Sequence, residues 1–320
     1  RFKDMAQTQG KLRGYLLGVM AAASYGTIPL FTLPLYGVGM NADSILLLRY
    51  LLAILILGVM LRARGHSFRV GRRDLLWLAA GGVMMSLSSI TLFASYLYMP
   101  AGIASTLLFV YPIMVAVIMA ALFHEKIGLS TVVCLAAACG GIALLCRAPS
   151  ADQPPVSALG ALLAILSALT YAIYIVGINK SSLDRLPTLK VTFYVLVFGL
   201  TVFALRFAFG QELRLPPVSG WPLWGNILAL ALIPTAISFL CTTAAIQSVG
   251  ATVTAILGAF EPLTAIFFGI TVFGETLMPR QWVGVVLVIG AVMLVVAGGA
   301  SARYLMRLRK LFPRIRRHKL

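Results

Sequence analysis

Long apolar runs almost free of charge follow one another along this chain of 320 residues. A run of about 18 or more such residues is long enough to cross the roughly 30 Å hydrocarbon core of a bilayer as a helix. Only 11% of the residues are charged, against about 25% in a soluble domain. Spanning backbone must satisfy its own hydrogen bonds, and these runs are too long and too uniformly apolar for barrel strands. The sequence therefore predicts an all-α integral membrane protein.

Turns and short polar links divide the apolar runs into ten predicted transmembrane helices, called spans 1 to 10. Their predicted limits are 12–34, 43–61, 75–98, 102–123, 128–146, 157–178, 189–209, 222–246, 252–273 and 281–299. The Ser/Asp/Gln/Pro stretch from Pro149 to Pro155 cannot continue a helix. It separates the first five spans from the last five.

The two groups of five spans are predicted to be copies of one unit. The matched residues are Pro112 with Pro262 and Glu125 with Glu275, 150 residues apart, and Tyr25 with Tyr171, 146 apart. Because five is odd, the second copy starts on the opposite side of the membrane, which is the inverted-repeat layout of many secondary transporters. The predicted units are a first repeat at 11–148, a second repeat at 156–300 and a basic tail at 301–320.

Lysine and arginine are distributed unevenly between the predicted loops. Of the 26 such residues, 21 lie in segments on the side of the N-terminus, four lie on the other side, and Arg49 lies within span 2. The positive-inside rule then places both termini in the cytoplasm. The net charge of +17 is explained by this bias without a nucleic-acid partner. The basic tail suits anionic lipids of the inner leaflet, or serves only as a topology signal.

Three motifs suggest a family. Span 9 holds Phe260-Glu261-Pro262-Leu263, followed by Gly274-Glu275; span 4 holds Tyr111-Pro112, followed by Glu125; and span 2 contains Leu48-Arg49-Tyr50. Together with ten spans in two inverted fives, these motifs resemble the EamA-type family of the drug/metabolite transporter superfamily. The resemblance implies a bacterial-type cytoplasmic (inner) membrane protein with a central cavity lined by spans 1, 3, 4, 6, 8 and 9. It also implies export of amino acids or related small metabolites.

Glu261 is the acidic residue nearest the middle of a predicted span. An ionisable group at that depth costs at least about 2.5 kcal/mol, so it should face protein or water. Pro262 has no amide N–H and is expected to leave the carbonyl of Gly258 free. The carboxyl group then either binds an amine or a proton, or stays neutral and only ties helices together. The matching residue of the first half is Tyr111, so the acid has no repeat mate.

Four further residues are expected to act in gating or structure. Glu125 and Glu275 end spans 4 and 9, where each is expected to cap the next helix N-terminus, a contact worth about 0.3–1 kcal/mol. Breaking such contacts during gating is the alternative. Pro112 and Pro262 interrupt helical hydrogen bonding and provide points of bending.

Arg49 lies a few residues into span 2. It is expected to extend its side chain to the outer surface with Asp43 as a partner. The alternative is that its planar guanidinium binds a substrate carboxylate or phosphate.

The remaining candidates for substrate contact are aromatic, hydroxyl and amide side chains on the cavity-lining spans, for which anchoring at the membrane interface is the alternative. They are Tyr25, Tyr96, Tyr111, Tyr171, Tyr174, Thr242 and Gln247. As repeat mates, Tyr25 and Tyr171 should approach the pseudo-two-fold axis from opposite sides.

The sequence favours a secondary transporter that alternates access to a small zwitterionic metabolite, as a monomer or homodimer. An amine or drug exporter that uses Glu261 is the alternative. An intramembrane enzyme would need a nucleophile and base or a metal cluster at depth, and no histidine lies there. The three histidines and four cysteines lack metal-ligand spacing, and no phosphate-binding loop of the G-x-x-x-x-G-K-[ST] type is present. We therefore expect no enzyme activity, no metal and no cofactor.

Overall fold

The computed structural model describes residues 2–123, 129–146, 157–181, 183, 186–249, 254 and 257–294, and within them every regular element is a helix. In chain order the helices are α1 (Phe2–Gly26), α2 (Ile28–Gly37), α3 (Ala42–Ala63), α4 (Arg72–Ser95), α5 (Ala101–Leu108), α6 (Tyr111–Phe123), α7 (Leu129–Cys146), α8 (Ala158–Lys180), α9 (Thr188–Ala208), α10 (Trp221–Ala231), a π-helical segment (Leu232–Ile237), α11 (Ser238–Val249), α12 (Phe260–Phe273) and α13 (Pro279–Leu294).

Seven helical segments of the described chain are long and apolar enough to cross a membrane. They are Leu12–Gly37, Ala42–Ala63, Arg72–Ser95, Ala101–Phe123, Ala158–Ile178, Thr188–Ala208 and Trp221–Thr242. Shorter apolar helices occur at Ala136–Leu145, Phe260–Phe273 and Pro279–Leu294, where spans 5, 9 and 10 are predicted. The all-helical class predicted from the sequence is confirmed.

Prolines lie at the interruptions of the helical segments. Pro29 lies in the first turn of α2, Pro112 is the second residue of α6 and Pro262 is the third residue of α12. The first turn of a helix tolerates proline because its amide N–H has no intrahelical partner there. Pro234 lies inside the π-helical segment, a wide turn that often accompanies a break in the α-helical ladder. Four of the predicted spans, numbers 1, 4, 8 and 9, therefore have an interruption at a proline, and we call them jointed spans.

Two helix pairs make the most extensive contacts in the bundle, α4 with α8 and α1 with α11. In each pair, a serine hydroxyl of one helix donates a hydrogen bond to a backbone carbonyl of the other. Ser88 of α4 donates to the carbonyl of Ser167 in α8 at 3.0 Å, and Ser238 of α11 donates to the carbonyl of Ala21 in α1 at 2.9 Å. Ser88 and Ser238 are 150 residues apart, and Ala21 and Ser167 are 146 apart. The two offsets that match the halves in sequence thus also relate these two hydrogen bonds.

Helix α12 is held close to the rest of the bundle by glycines of its neighbours. A Cβ atom on Gly26 would lie 2.4 Å from the carbonyl oxygen of Glu261, and one on Gly102 would lie 2.8 Å from Cγ1 of Ile266. Neither position has room for a larger residue. The opposite side of α12 exposes apolar side chains, among them Phe267, as expected of a surface that meets lipid.

Candidate functional site

A cluster of tyrosine rings joins α6 to α8. The rings of Tyr111 and Tyr171 meet edge to face at 4.8 Å between centroids, and the rings of Tyr171 and Tyr174 stack at 5.8 Å. Both arrangements are favourable for aromatic pairs. Two spans that lie far apart in the chain thus share one aromatic wall, in which all three residues were predicted as substrate contacts.

Glu261 lies near this wall and near two further tyrosines. It is within electrostatic range of the hydroxyl groups of Tyr25, Tyr96, Tyr111 and Tyr171, and its backbone packs against Gly26, the neighbour of Tyr25. Tyr25 also interacts with Tyr171, its predicted repeat mate. The structure therefore brings five predicted residues into one group in the interior of the bundle.

Most of the interior group is partly accessible. Tyr25, Tyr111, Tyr171 and Glu261 are each half-buried although they are surrounded by helices, whereas Tyr96 is buried. Part of the surface of each of these four side chains is therefore accessible. We refer to the space beside this group as the central cavity, after the cavity that the resemblance implies.

The position of Glu261 differs in one respect from the expectation. Pro262 was expected to leave the carbonyl of Gly258 without a donor. Instead, the amide N–H of Glu261 itself donates to that carbonyl at 3.0 Å. The three-residue spacing of this bond is that of a tight turn at the start of α12. The expectation of a free carbonyl beside the carboxylate is therefore wrong, and the carboxylate is the polar group that α12 offers there.

Arg49 does not extend its side chain to the surface. It is only 5% exposed, its Nε donates to Oγ1 of Thr235 at 3.2 Å, and its guanidinium lies 5.7 Å from the ring centroid of Phe93. The predicted partner, Asp43, is instead bound by both Nε and a terminal nitrogen of Arg206, at 2.6 and 3.0 Å. The expectation of an outward-reaching Arg49 is therefore wrong, because α3 turns this residue toward the π-helical segment.

Arg49 and Glu261 face the same interior group with opposite charges. Both interact electrostatically with Tyr25 and with Tyr96. Within the described residues no ion pair joins them, and the pairs that form are Arg206 with Asp43 and Arg214 with Glu212. An ionisable group inside a membrane bundle is costly, and two such groups beside one set of tyrosines are typical of a substrate or proton site.

Glu275 binds a helix N-terminus, but not the one expected. Its carboxylate accepts the amide N–H of Ala101 at 2.8 Å and that of Gly102 at 3.4 Å. It therefore caps α5, at the start of span 4, rather than the following helix α13. The left-handed turn at Gly274, with φ of 65°, directs the chain back. The carboxylate then lies over Gly269, where a Cβ atom would be 2.2 Å from Oε2.

The other predicted residues lie outside this group or outside the described residues. Thr242 of α11 is half-buried and donates to the carbonyl of Ser238 at 2.8 Å. Pro112 and Pro262 lie at the starts of α6 and α12. Glu125 and the side chain of Gln247 are not among the described parts of the chain.

Sequence reasoning missed the partners of Arg49. Thr235 lies in a proline-containing turn of span 8 and Phe93 in an apolar run of span 3, and no local pattern marks either residue. Ser238 was also missed, although the offset of 150 residues that relates it to Ser88 could have identified it. Among the described residues, no cluster of three or more histidine, cysteine or acidic side chains could hold a metal ion.

Comparison with known proteins identifies the family. The EamA-like transporter family matches twice, at residues 12–147 and 158–297. An uncharacterized transporter of Archaeoglobus fulgidus is 28% identical over 278 residues, which cover 86% of this chain and 93% of that protein. An uncharacterized transporter of Synechocystis is 30% identical over 226 residues, which cover 68% of this chain and 65% of that protein.

A solved crystal structure has the same fold. It matches with a TM-score of 0.62 at 19% identity and covers 91% of this chain and 98% of that chain. The family match and the apolar helices agree with the resemblance drawn from the motifs at Glu261, Tyr111 and Arg49, and they are consistent with the drug/metabolite transporter superfamily. The chain is a multi-pass membrane protein that belongs to the EamA-like transporter family.

Proposed function

We propose that this protein is a secondary transporter that exports amino acids or related zwitterionic metabolites by alternating access. The observation that carries the proposal is that a basic residue, Arg49, and an acidic residue, Glu261, lie beside one group of tyrosines without an ion pair between them. An arginine presents a planar fork that suits a carboxylate. A carboxylate opposite it suits an ammonium group, and tyrosine faces add cation–π attraction. A free amino acid carries both of these groups.

The substrate would complete the charge pairing that the protein alone leaves open. Without a ligand, Arg49 has a neutral hydroxyl partner in Thr235. A bound zwitterion would supply an anion to Arg49 and a cation to Glu261. Each charge-assisted hydrogen bond is worth about 1.5–3 kcal/mol, which is enough to select zwitterions against neutral molecules of the same size.

Alternating access would come from two inverted halves of five spans each, with boundaries at 11–148 and 156–300. The equivalent hydrogen bonds of Ser88 and Ser238 support the repeat. The halves would rock about the central cavity and bend at the jointed spans. Glu275 joins α12 to α5, so it bridges the second half to the first.

The lysine and arginine bias supports a cytoplasmic location of both termini. In that orientation Glu275 and Ala101 lie at the outer face of the membrane. Their hydrogen bond would hold the outer side closed, and its release would open the exit. The membrane is proposed to be a bacterial-type cytoplasmic membrane.

A flux assay tests the proposal. The purified protein is reconstituted into liposomes, and counterflow of radiolabelled amino acids, their decarboxylated amine analogues and their deaminated acid analogues is measured. We expect saturable movement of an amino acid. We expect Arg49→Gln and Glu261→Gln each to raise its KM by about ten- to a hundredfold, the loss of one charge-assisted bond.

The analogues separate the two charges. The amine analogue should be insensitive to Arg49→Gln, and the acid analogue should be insensitive to Glu261→Gln. Arg214→Gln and Glu212→Gln, which remove the two members of an exposed ion pair, are the matched controls and should leave transport unchanged. Chemical conversion of a metabolite without vectorial movement would contradict the proposal.

Amine or drug efflux is the second candidate, favoured by the carboxylate of Glu261 among tyrosine rings. It differs from amino-acid transport in its need for Arg49. If amines are the preferred substrates and Arg49→Gln transports them as well as the parent protein does, the function is amine efflux.

A further inference from the structure

A second pocket, of about 320 Å³, lies between α3, α9 and α11 at the membrane face that carries the basic loop after α3. Its deep end is apolar and includes Leu57, Phe239 and Leu240. Its mouth is formed by Arg64 and His66 of the loop, and both of these residues are exposed. The pocket thus has an apolar interior and a basic rim.

The pocket is separate from the central cavity. None of the tyrosines of the central cavity, nor Glu261 or Arg49, lines it. Helix α11 presents different faces to α1 and to the pocket, since Ser238 bonds to α1 whereas Leu240 lines the pocket. A ligand in the pocket would therefore not occupy the proposed transport site.

The rim is held in place by α9. The ammonium group of Lys190 donates to the carbonyl of Arg69, and the hydroxyl of Tyr194 donates to the carbonyl of Phe68. These two contacts fix the loop that carries Arg64 and His66 against the start of α9. The loop that carries the basic rim is therefore packed against the helix bundle.

Thr192 of α9 adds a hydroxyl group to the pocket. The residue is only 4% exposed and belongs to the lining. A threonine hydroxyl can donate one hydrogen bond to an oxygen of a ligand.

We propose that this pocket binds one anionic phospholipid, with the phosphate at Arg64 and His66 and the start of an acyl chain against Leu57 and Leu240. Leu57 lies in α3, and Arg64 directly follows the end of that helix, seven residues later. At the helical rise this spacing is about 10 Å, so the pocket extends from headgroup level into the hydrocarbon. The chemistry is that of a phosphate joined to an apolar tail, and the rim charge selects the phosphate. The hydroxyl of Thr192 lies within the pocket as a hydrogen-bond donor for a glycerol or ester oxygen.

The headgroup, not the tail, gives the site its selectivity. An acyl chain gains little by moving from the bilayer into an apolar pocket, because lipid tails and leucine side chains are equally apolar. Neutral phospholipids should therefore be displaced by anionic ones. A soluble phosphate ester, which lacks the tail, should bind poorly because it leaves the apolar interior filled with water.

Native mass spectrometry of the full-length protein tests the proposal. The protein is released from nanodiscs of phosphatidylcholine that contain a minor fraction of phosphatidylglycerol, and the retained lipids are counted. We expect one phosphatidylglycerol to be retained by the parent protein and to be lost in Arg64→Gln. Arg73 lies in the first turn of α4, just after the loop, is exposed and does not line the pocket. Arg73→Gln removes the same charge near the rim, so this variant should retain the lipid.

A thermal-stability titration in detergent supplies the second measurement. Phosphatidylglycerol should raise the Tm of the parent and of Arg73→Gln but not that of Arg64→Gln, whereas phosphatidylcholine and glycerol phosphate should raise none. Equal losses in Arg64→Gln and Arg73→Gln would show a diffuse surface charge effect and overturn the site. An equal shift with glycerol phosphate or inorganic phosphate would show a soluble-anion site and overturn the lipid assignment. If Arg64→Gln retains the lipid, the pocket is not the site.

Discussion

The carboxylate of Glu275 accepts the backbone amide of Ala101 at 2.8 Å, although the two residues are 174 positions apart in the chain. The bond joins the end of α12 to the first turn of α5, where the helix dipole favours a negative charge. It is a contact between the two matched segments of the family and not a cap within one of them.

Glu275→Gln should weaken this contact by about 1–2 kcal/mol, because an amide oxygen replaces a charged acceptor at a helix N-terminus. The measurement is the rate at which a single cysteine at Ala101, in a cysteine-free background, reacts with a membrane-impermeant maleimide from the outer side. We expect a faster rate in Glu275→Gln. Glu212→Gln, on an exposed acid, is the control, and equal rates in all three proteins would contradict a closing role.

Gly269→Ala should have the same effect without touching the carboxylate. A Cβ atom there would lie 2.2 Å from Oε2 of Glu275, so the carboxylate must move away from α5. Gly290→Ala is the matched control, because a Cβ atom there meets nothing within 4 Å. In a double-mutant cycle, Gly269→Ala should add little to Glu275→Gln. Additive effects would show that the glycine acts elsewhere.

Ser88→Ala should destabilise the protein more than Ser238→Ala. The hydroxyl of Ser88 donates to the carbonyl of Ser167 at 3.0 Å and lies 3.0 Å from its Oγ, and Ser88→Ala loses both contacts. Ser238 makes one such bond. Interhelical hydrogen bonds in membranes average about 0.6 kcal/mol, so the two variants should differ by about that amount. Unfolding in mixed micelles measures the difference, and the reverse order would refute the reasoning.

Arg206→Gln should cost little stability, whereas Asp43→Leu should cost more. The side chain of Arg206 is 40% exposed and that of Asp43 only 8%, and exposed ion pairs contribute about 0–1 kcal/mol. Removing Asp43 also leaves the arginine without its acceptor at the membrane surface. The test is thermal unfolding at low and at high salt. For an exposed pair, the difference in Tm between Arg206→Gln and the parent should become smaller at high salt. A difference that does not depend on salt would contradict this interpretation.

Much of the helical framework could be predicted because its cause is local. Apolar length specifies a span, and a proline removes one backbone donor wherever it stands, so the joints near Pro112 and Pro262 follow from the sequence alone. The grouping of Tyr25, Tyr111 and Tyr171 followed from the repeat and from the resemblance, which together indicate which spans meet.

The partners of charged residues could not be predicted, because they depend on how each helix is rotated. Asp43 is six residues from Arg49, and along one helix this spacing suggested a pair. The two side chains point in different directions, and each finds a partner about 160 to 190 residues away. For the same reason, Glu275 could be predicted to cap a helix while the helix itself could not be identified.

The π-helical segment Leu232–Ile237 changes the phase of the helix that follows it. A π turn holds about one residue more than an α turn, so each later side chain is rotated by about 100° relative to an unbroken α-helix. The hydroxyl of Thr235 bonds to the carbonyl five residues earlier, that of Leu230, and Ser238 then points to α1. Deleting a single residue from this segment would therefore redirect all of α11 while shortening the span by less than 2 Å. For this span, the angular register of the helix is encoded by a count of residues and not by their identity.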